Sequence, residues 1–168
     1  MNIWGVIMIK VGQKAPDFKT ITESGDKFKL SDYKGKKILL YWYVKDNTSG
    51  CQAQSCSLRD NYDIFQDNDV LVFGIAPGNE KTHQSFKSKN NLPFPLLIDE
   101  DNTIAKLYDV WQKKKMYGKE YMGIERTSFL IDEHGKIAKI IGRHPEGEEK
   151  VNTKEHADQV IRVWGLKI

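Results

Sequence analysis

The chain contains two cysteines, Cys51 and Cys56, and their setting decides what chemistry they can do. Cys51 ends the polar stretch Asp46-Asn-Thr-Ser-Gly50. Beyond it the apolar residues Leu58, Tyr62 and Phe65 recur at i, i+4 and i+7, the pattern of an amphipathic helix. A cysteine in the first turn of a helix meets unpaired backbone N–H groups and the positive end of the helix dipole. Both favour an anion, so the thiol pKa should fall and a nucleophilic thiolate be populated near neutral pH. The competing account is a small buried hydrophobe at a helix start.

Cys56 lies five residues further on, in the same predicted helix. Ideal helical geometry separates two such Cα atoms by about 8.7 Å and splays their side chains by about 140°. A disulfide needs Cα atoms within about 7 Å, so the pair can bridge only if the helix opens, and oxidation would also be a conformational step. Two unrelated thiols on different faces fit the same spacing. A metal centre is poorly supported, because His83, His134, His144 and His156 are scattered without ligand spacing. The absence of a C-x-x-C pair weakens a general thiol–disulfide oxidoreductase.

These residues must be positioned by the elements around them. Lys37-Ile-Leu-Leu-Tyr-Trp-Tyr-Val44 reads as a central strand buried on both faces, and Asp69 to Ile75 as a second one. Residues 11–34 read as loop and short strands with a turn at Glu23-Ser24-Gly25-Asp26. Asn79 is placed to cap a helix running to about Lys89. Pro95 to Ile98 reads as a short strand, Thr103 to Tyr108 as a short helix and Lys113 to Tyr121 as a loop near the site. Trp111 is expected to serve in packing, with the site entrance as its other reading. Arg126–Asp132 and Lys136–Ile141 form a hairpin about Glu133-His134-Gly135, and Thr153 caps a last helix to about Val163. Parallel βαβ units closed by an antiparallel hairpin indicate an α/β fold, a thioredoxin-like three-layer sandwich with a central mixed β-sheet.

A length of 168 residues suits one core, and 39% hydrophobic residues without a low-complexity tract suit a folded chain. Residues 9–168 are therefore expected to be a single domain, and the apolar residues 1–8 an N-terminal extension, with Met8 as an alternative start. That extension has no basic n-region or cleavage site and is too short to span a bilayer, so the expected location is the cytoplasm. Cysteines in that compartment argue against a permanent structural staple. The net charge is +3, and Lys113-Lys114-Lys115 is the only basic run, so neither nucleic acid nor membrane is an expected partner.

The segment Tyr41-Trp-Tyr-Val-Lys-Asp-Asn-Thr48-Ser-Gly-Cys51-Gln-Ala-Gln-Ser-Cys56-Ser-Leu-Arg-Asp60 resembles the peroxiredoxins, and most closely the bacterioferritin comigratory protein, or peroxiredoxin Q, group. The resemblance runs over roughly residues 9–164. It takes in Val11-Gly-Gln-Lys-Ala-Pro-Asp-Phe18, Leu92-Pro-Phe-Pro-Leu-Leu-Ile-Asp99, Tyr108-Asp-Val-Trp111 and Gly118 to Asp132. It implies a thiol peroxidase in which Cys51 attacks hydrogen peroxide or an organic hydroperoxide and Cys56 closes an intramolecular disulfide with it. It further implies that the Thr48 hydroxyl bonds the thiolate and the peroxide, and that Arg126 supports the thiolate and the transition state. A thioredoxin-like dithiol would recycle the disulfide, no metal, flavin or haem would take part, and the protein would be a monomer.

Three positions depart from the family pattern. Val44 replaces a proline that shields the cysteine, which keeps apolar bulk but loses the fixed φ. Ser49 replaces a second common proline and Gln52 a usual threonine, while Gln54 falls where the group has glutamate or glutamine. With the proline relaxed, a non-catalytic thioredoxin-fold redox sensor or binding module is the rival reading from outside the enzymes.

Overall fold

The apolar run after Lys37 becomes strand β3 (Lys37–Trp42), and Leu39 through Tyr43 are all fully buried. Side chains alternate across a strand, so β3 feeds two cores. Ile38, Leu40 and Trp42 join Phe18, Phe28 and Tyr108 on one face. Leu39, Tyr41 and Tyr43 join Leu58, Phe86 and Val160 on the other. The computed structural model describes residues 9–168. The extension expected over residues 1–8, and the alternative start at Met8, lie outside the described residues.

The central sheet has the order β5-β4-β3-β8-β9. Strand β3 pairs in parallel with β4 (Val70–Ala76), which pairs in parallel with β5 (Leu96–Ile98). On its other edge β3 pairs antiparallel with β8 (Thr127–Ile131), and β8 with β9 (Ile137–Gly142). Helices α1 (Ser49–Asp60), α2 (Tyr62–Asp67), α3 (Glu80–Asn90) and α5 (His156–Trp164) send buried residues to the Leu39 face. The opposite face carries α4 (Thr103–Leu107) and residues from the β1–β2 ribbon (Lys19–Ile21, Lys27–Lys29). This is the mixed-sheet, three-layer α/β arrangement expected from the sequence. Among the described residues no helix is long and apolar enough to cross a membrane.

Three local expectations are corrected. The helix read as continuous through Phe65 breaks at Asn61, whose side-chain amide donates to Ser57 O at 2.9 Å and whose backbone leaves helical geometry. Lys113–Tyr121 is not a loop but most of a second ribbon, β6 (Trp111–Met116) and β7 (Lys119–Ile124). It turns at Tyr117-Gly118, both at positive φ, as a two-residue hairpin turn requires. Its strands are too polar to show apolar alternation. The last helix starts at His156 with Glu155, not Thr153, at its N-cap, because the preceding chain is held by Gln159, whose Oε1 accepts from Asn152 N at 2.8 Å. The Asn79 cap forms as expected, with reciprocal bonds to Thr82 of 2.9 and 3.0 Å.

Candidate active site

The loop between β3 and α1 brings the chemistry together. Thr48 has extended backbone and stands at the N-cap of α1, so Cys51 falls in the first turn, where the sequence placed it. Its side chain is fully buried against the core on the Leu39 face. Cys56 lies in the same helix, half-buried, and both cysteines are free thiols.

Arg126 arrives from a part of the chain remote in sequence. It occupies the two-residue link between β7 and β8, one residue before the strand expected to start there. Its Nη1 stands 3.3 Å from Cys51 Sγ and 2.9 Å from Gln54 Oε1. One guanidinium nitrogen carries two hydrogens, so the thiol and Gln54 are served together. Gly50 makes room for it: a Cβ there would lie 3.1 Å from Arg126 Nη2.

Burial pushes the Cys51 thiol up, but three contacts outweigh it and hold the pKa below the ordinary cysteine value. They are the Thr48 hydroxyl, the Lys45 backbone N–H and the Arg126 guanidinium. Thr48 Oγ1 also donates to the Lys45 carbonyl at 3.1 Å. A hydroxyl has one proton, so the carbonyl and the sulfur are alternative acceptors for it.

Val44 is half-buried and packs against both cores, so the apolar bulk of the missing proline is retained. A buried clamp fixes the loop beyond it. Tyr43 OH donates to Asp46 Oδ1 at 2.8 Å, and Asp46 Oδ2 lies 2.7 Å from His83 Nδ1. His83 Nε2 lies 2.9 Å from the Leu97 carbonyl, which only accepts. His83 thus ties Asp46, and with it the loop, to α3 and β5 through both ring nitrogens. The sequence reading missed this clamp. Its one visible signal was a polar His83 sharing a helix face with Phe86.

A second buried histidine lies behind Arg126. Gln159 Nε2 donates to Lys150 O at 2.8 Å, which directs Gln159 Oε1 to accept from His156 Nδ1 at 3.0 Å. His156 Nε2 then accepts from Ser128 Oγ at 2.6 Å. Burial, aided by the Arg126 charge, lowers the His156 pKa to about 4. The unfolded chain takes up this proton near pH 6.5 and the folded protein only near pH 4, so between these values the unfolded state binds more protons. The stability is fully present above pH 6.5 and is lost as pH falls to about 4, by roughly 3 kcal/mol. Urea unfolding at pH 7, 5.5 and 4 should show a shallower decline in His156→Gln, and equal slopes in the two proteins would refute the assignment.

Three of the four residues singled out from the sequence, Thr48, Cys51 and Arg126, thus fall on one helix start and the strand link facing it, while Cys56 lies further along α1 and makes no contact with Cys51 or Arg126 among the described hydrogen bonds. Its Sγ lies 3.6 Å from Asn90 Oδ1 instead. Trp111 packs against the core with Lys106 Nζ 5.8 Å from its ring, which fits the packing account.

Residues 11–140 match the AhpC/TSA family. Peroxiredoxin Bcp of Bacillus subtilis is 44% identical over 154 residues, spanning 92% of this chain and 94% of that protein. Among solved structures, a cysteine-to-serine mutant of Xylella fastidiosa PrxQ superposes with a TM-score of 0.84 at 27% identity, covering 95% of this chain and 97% of the other. The bacterioferritin comigratory protein of Xanthomonas campestris, studied for alkyl peroxide reduction, superposes at 0.79 with 27% identity, covering 88% and 90%. A relative matched over nine-tenths of the length, a shared fold and a buried cysteine whose pKa its neighbours lower lead to one conclusion: the chain belongs to the AhpC/TSA family, in its Bcp/PrxQ peroxiredoxin group, and is a thiol-dependent peroxidase.

Proposed function

We propose that Cys51 is the attacking thiol and Cys56 its internal resolving partner. The observation that carries this reading is the contact of Arg126 Nη1 with Cys51 Sγ at 3.3 Å, in the first turn of the helix that also holds Cys56. The Cys51 thiolate attacks one peroxide oxygen, the O–O bond breaks, and the departing oxygen takes up a proton to leave as water or an alcohol. Arg126 neutralises the thiolate and donates to the oxygen on which charge develops. Thr48, released from the Lys45 carbonyl, is the second donor at the same centre. Cys56 then displaces water from the Cys51 sulfenic acid to give a disulfide.

A thioredoxin-like dithiol restores both thiols by exchange, which suits a reducing compartment such as the cytoplasm. Both sulfurs belong to one helix, so residues 9–168 of a single monomer suffice for the cycle. An open groove lined by Val44, Asp46, Thr48, Pro77, Gly78 and Thr82 runs along the same loop. We assign it to the organic part of a hydroperoxide, a substrate class in keeping with the alkyl peroxide reduction studied in the Xanthomonas relative.

The test is oxidation of a thioredoxin system with hydrogen peroxide, with cumene hydroperoxide and without peroxide. Turnover is expected with both peroxides and none without them. Equal oxidation without peroxide would identify a general thiol–disulfide oxidoreductase, and no oxidation in any arm would identify a non-catalytic module.

A further inference from the structure

Three side chains of α1, Gln52, Cys56 and Arg59, follow one another at i, i+4 and i+7 and so share one helix face. All three bond to a single residue, Asn90, the last of α3. Asn90 is 4% exposed. Its amide nitrogen donates to Phe86 O at 2.9 Å, and since a carbonyl only accepts, this fixes which way the amide faces. Its Oδ1 is thereby turned to α1, where it accepts from Gln52 Nε2 at 2.8 Å and from Cys56 Sγ at 3.6 Å. Arg59 Nη1 donates instead to the Asn90 main-chain oxygen, at 2.7 Å.

We infer that Asn90 is a latch on the reduced helix, which sets how fast Cys56 reaches Cys51 and hence how long the sulfenic acid persists. The inference rests on the Cys51–Cys56 pairing proposed above. Closing that bond draws two Cα atoms from about 8.7 Å in a helix to within about 7 Å. The turn from Gln52 to Cys56 must leave helical geometry, and both bonds to Asn90 Oδ1 break. The chemistry removes one of them outright, since the Cys56 thiol loses its hydrogen when Cys51–SOH and Cys56–SH become a disulfide and water. Both bonds exist only in the reduced helix, so they slow the opening without adding anything to the disulfide form. Arg59 lies beyond the segment that opens, and its bond to the main chain anchors the remainder of α1.

The consequence is a partition. A sulfenic acid that waits is open to a second peroxide, which transfers an oxygen to give Cys51–SO₂H and water or an alcohol. A tighter latch favours that irreversible product, and a looser one favours the disulfide. Gln52, where the family usually has threonine, makes one of the two bonds and is thus a residue through which this chain sets the balance.

Rapid mixing of reduced protein with peroxide, followed by mass spectrometry, tests this in Gln52→Met, Asn90→Ala and the double variant. Disulfide closure should be about fivefold faster in Gln52→Met and about tenfold faster in Asn90→Ala, the scale of one or two lost hydrogen bonds. Sulfenic acid formation should be unchanged, and sulfinic acid at high peroxide should fall in the same order. Adding Gln52→Met to Asn90→Ala should change nothing further, because the partner is already gone, an outcome that general destabilisation would not give. Gln52 is exposed, so its variant remains informative if Asn90→Ala fails to fold. If the parent forms no Cys51–Cys56 bond, the pairing itself is wrong. If the parent forms it and Gln52→Met closes no faster, the latch alone is refuted.

Discussion

Replacement of Cys51 by serine is expected to abolish peroxide consumption. A serine hydroxyl is scarcely ionised near neutral pH, so the thiolate that Arg126 and the helix start stabilise no longer exists. Replacement of Cys56 should behave differently. Cys56→Ser keeps the nucleophile 3.3 Å from Arg126, so it should consume one equivalent of peroxide to reach sulfenic acid and a second only in going on to sulfinic acid, with no turnover beyond that. Its Cys51 should accumulate as sulfenic and then sulfinic acid. Rapid-mixing kinetics with mass spectrometry of both variants would show this. Full turnover by Cys51→Ser would end the assignment of the nucleophile, and full thioredoxin-linked turnover by Cys56→Ser would end that of the resolving thiol.

The second large effect is expected at Arg126. Loss of one donor to a developing oxyanion typically costs about 10²–10³ in rate, and Arg126→Met also removes the charge nearest the sulfur. The second-order constant with peroxide should fall by that factor, and the Cys51 titration, followed by thiolate absorbance, should move upward. The sign follows from the contacts: burial raises this thiol, while Thr48, Lys45 and Arg126 lower it. With Arg126 removed, the raising influence has fewer opponents. Gln54 would also lose the partner of its Oε1, and its Nε2 already has none among the described residues. Unchanged rate and unchanged titration would make Arg126 a structural residue.

Much of this arrangement was legible in the chain because it is encoded locally. An unbroken apolar run is a doubly buried strand whatever surrounds it, and β3, β4 and the capped helix α3 stand within two residues of where their patterns put them. The polar ribbon β6–β7 was not legible, because its strands bury little and so carry no period-two apolar signal. The break at Asn61 was hidden for the opposite reason: Leu58 and Phe65 keep helical spacing across it, and it takes the Asn61 backbone and its side-chain bond to Ser57 O to show that the helix ends.

The site divides in the same way. The sequence by itself determined that Cys51 opens a helix, that Cys56 shares it and that the two cannot bond while it is intact, since these follow from spacing along one element. Resemblance to a family singled out Thr48 and Arg126. Only the tertiary structure decided that Arg126 Nη1 faces both Cys51 and Gln54, that Asp46 and His83 hold the loop from which the family proline is missing, and that Asn90 binds Gln52 and Cys56. These contacts join residues 34 to 75 positions apart. No local pattern encodes which donor will face which acceptor across such a gap. That is set when the two faces of β3 are buried and the helices and strand links beside it are brought into register.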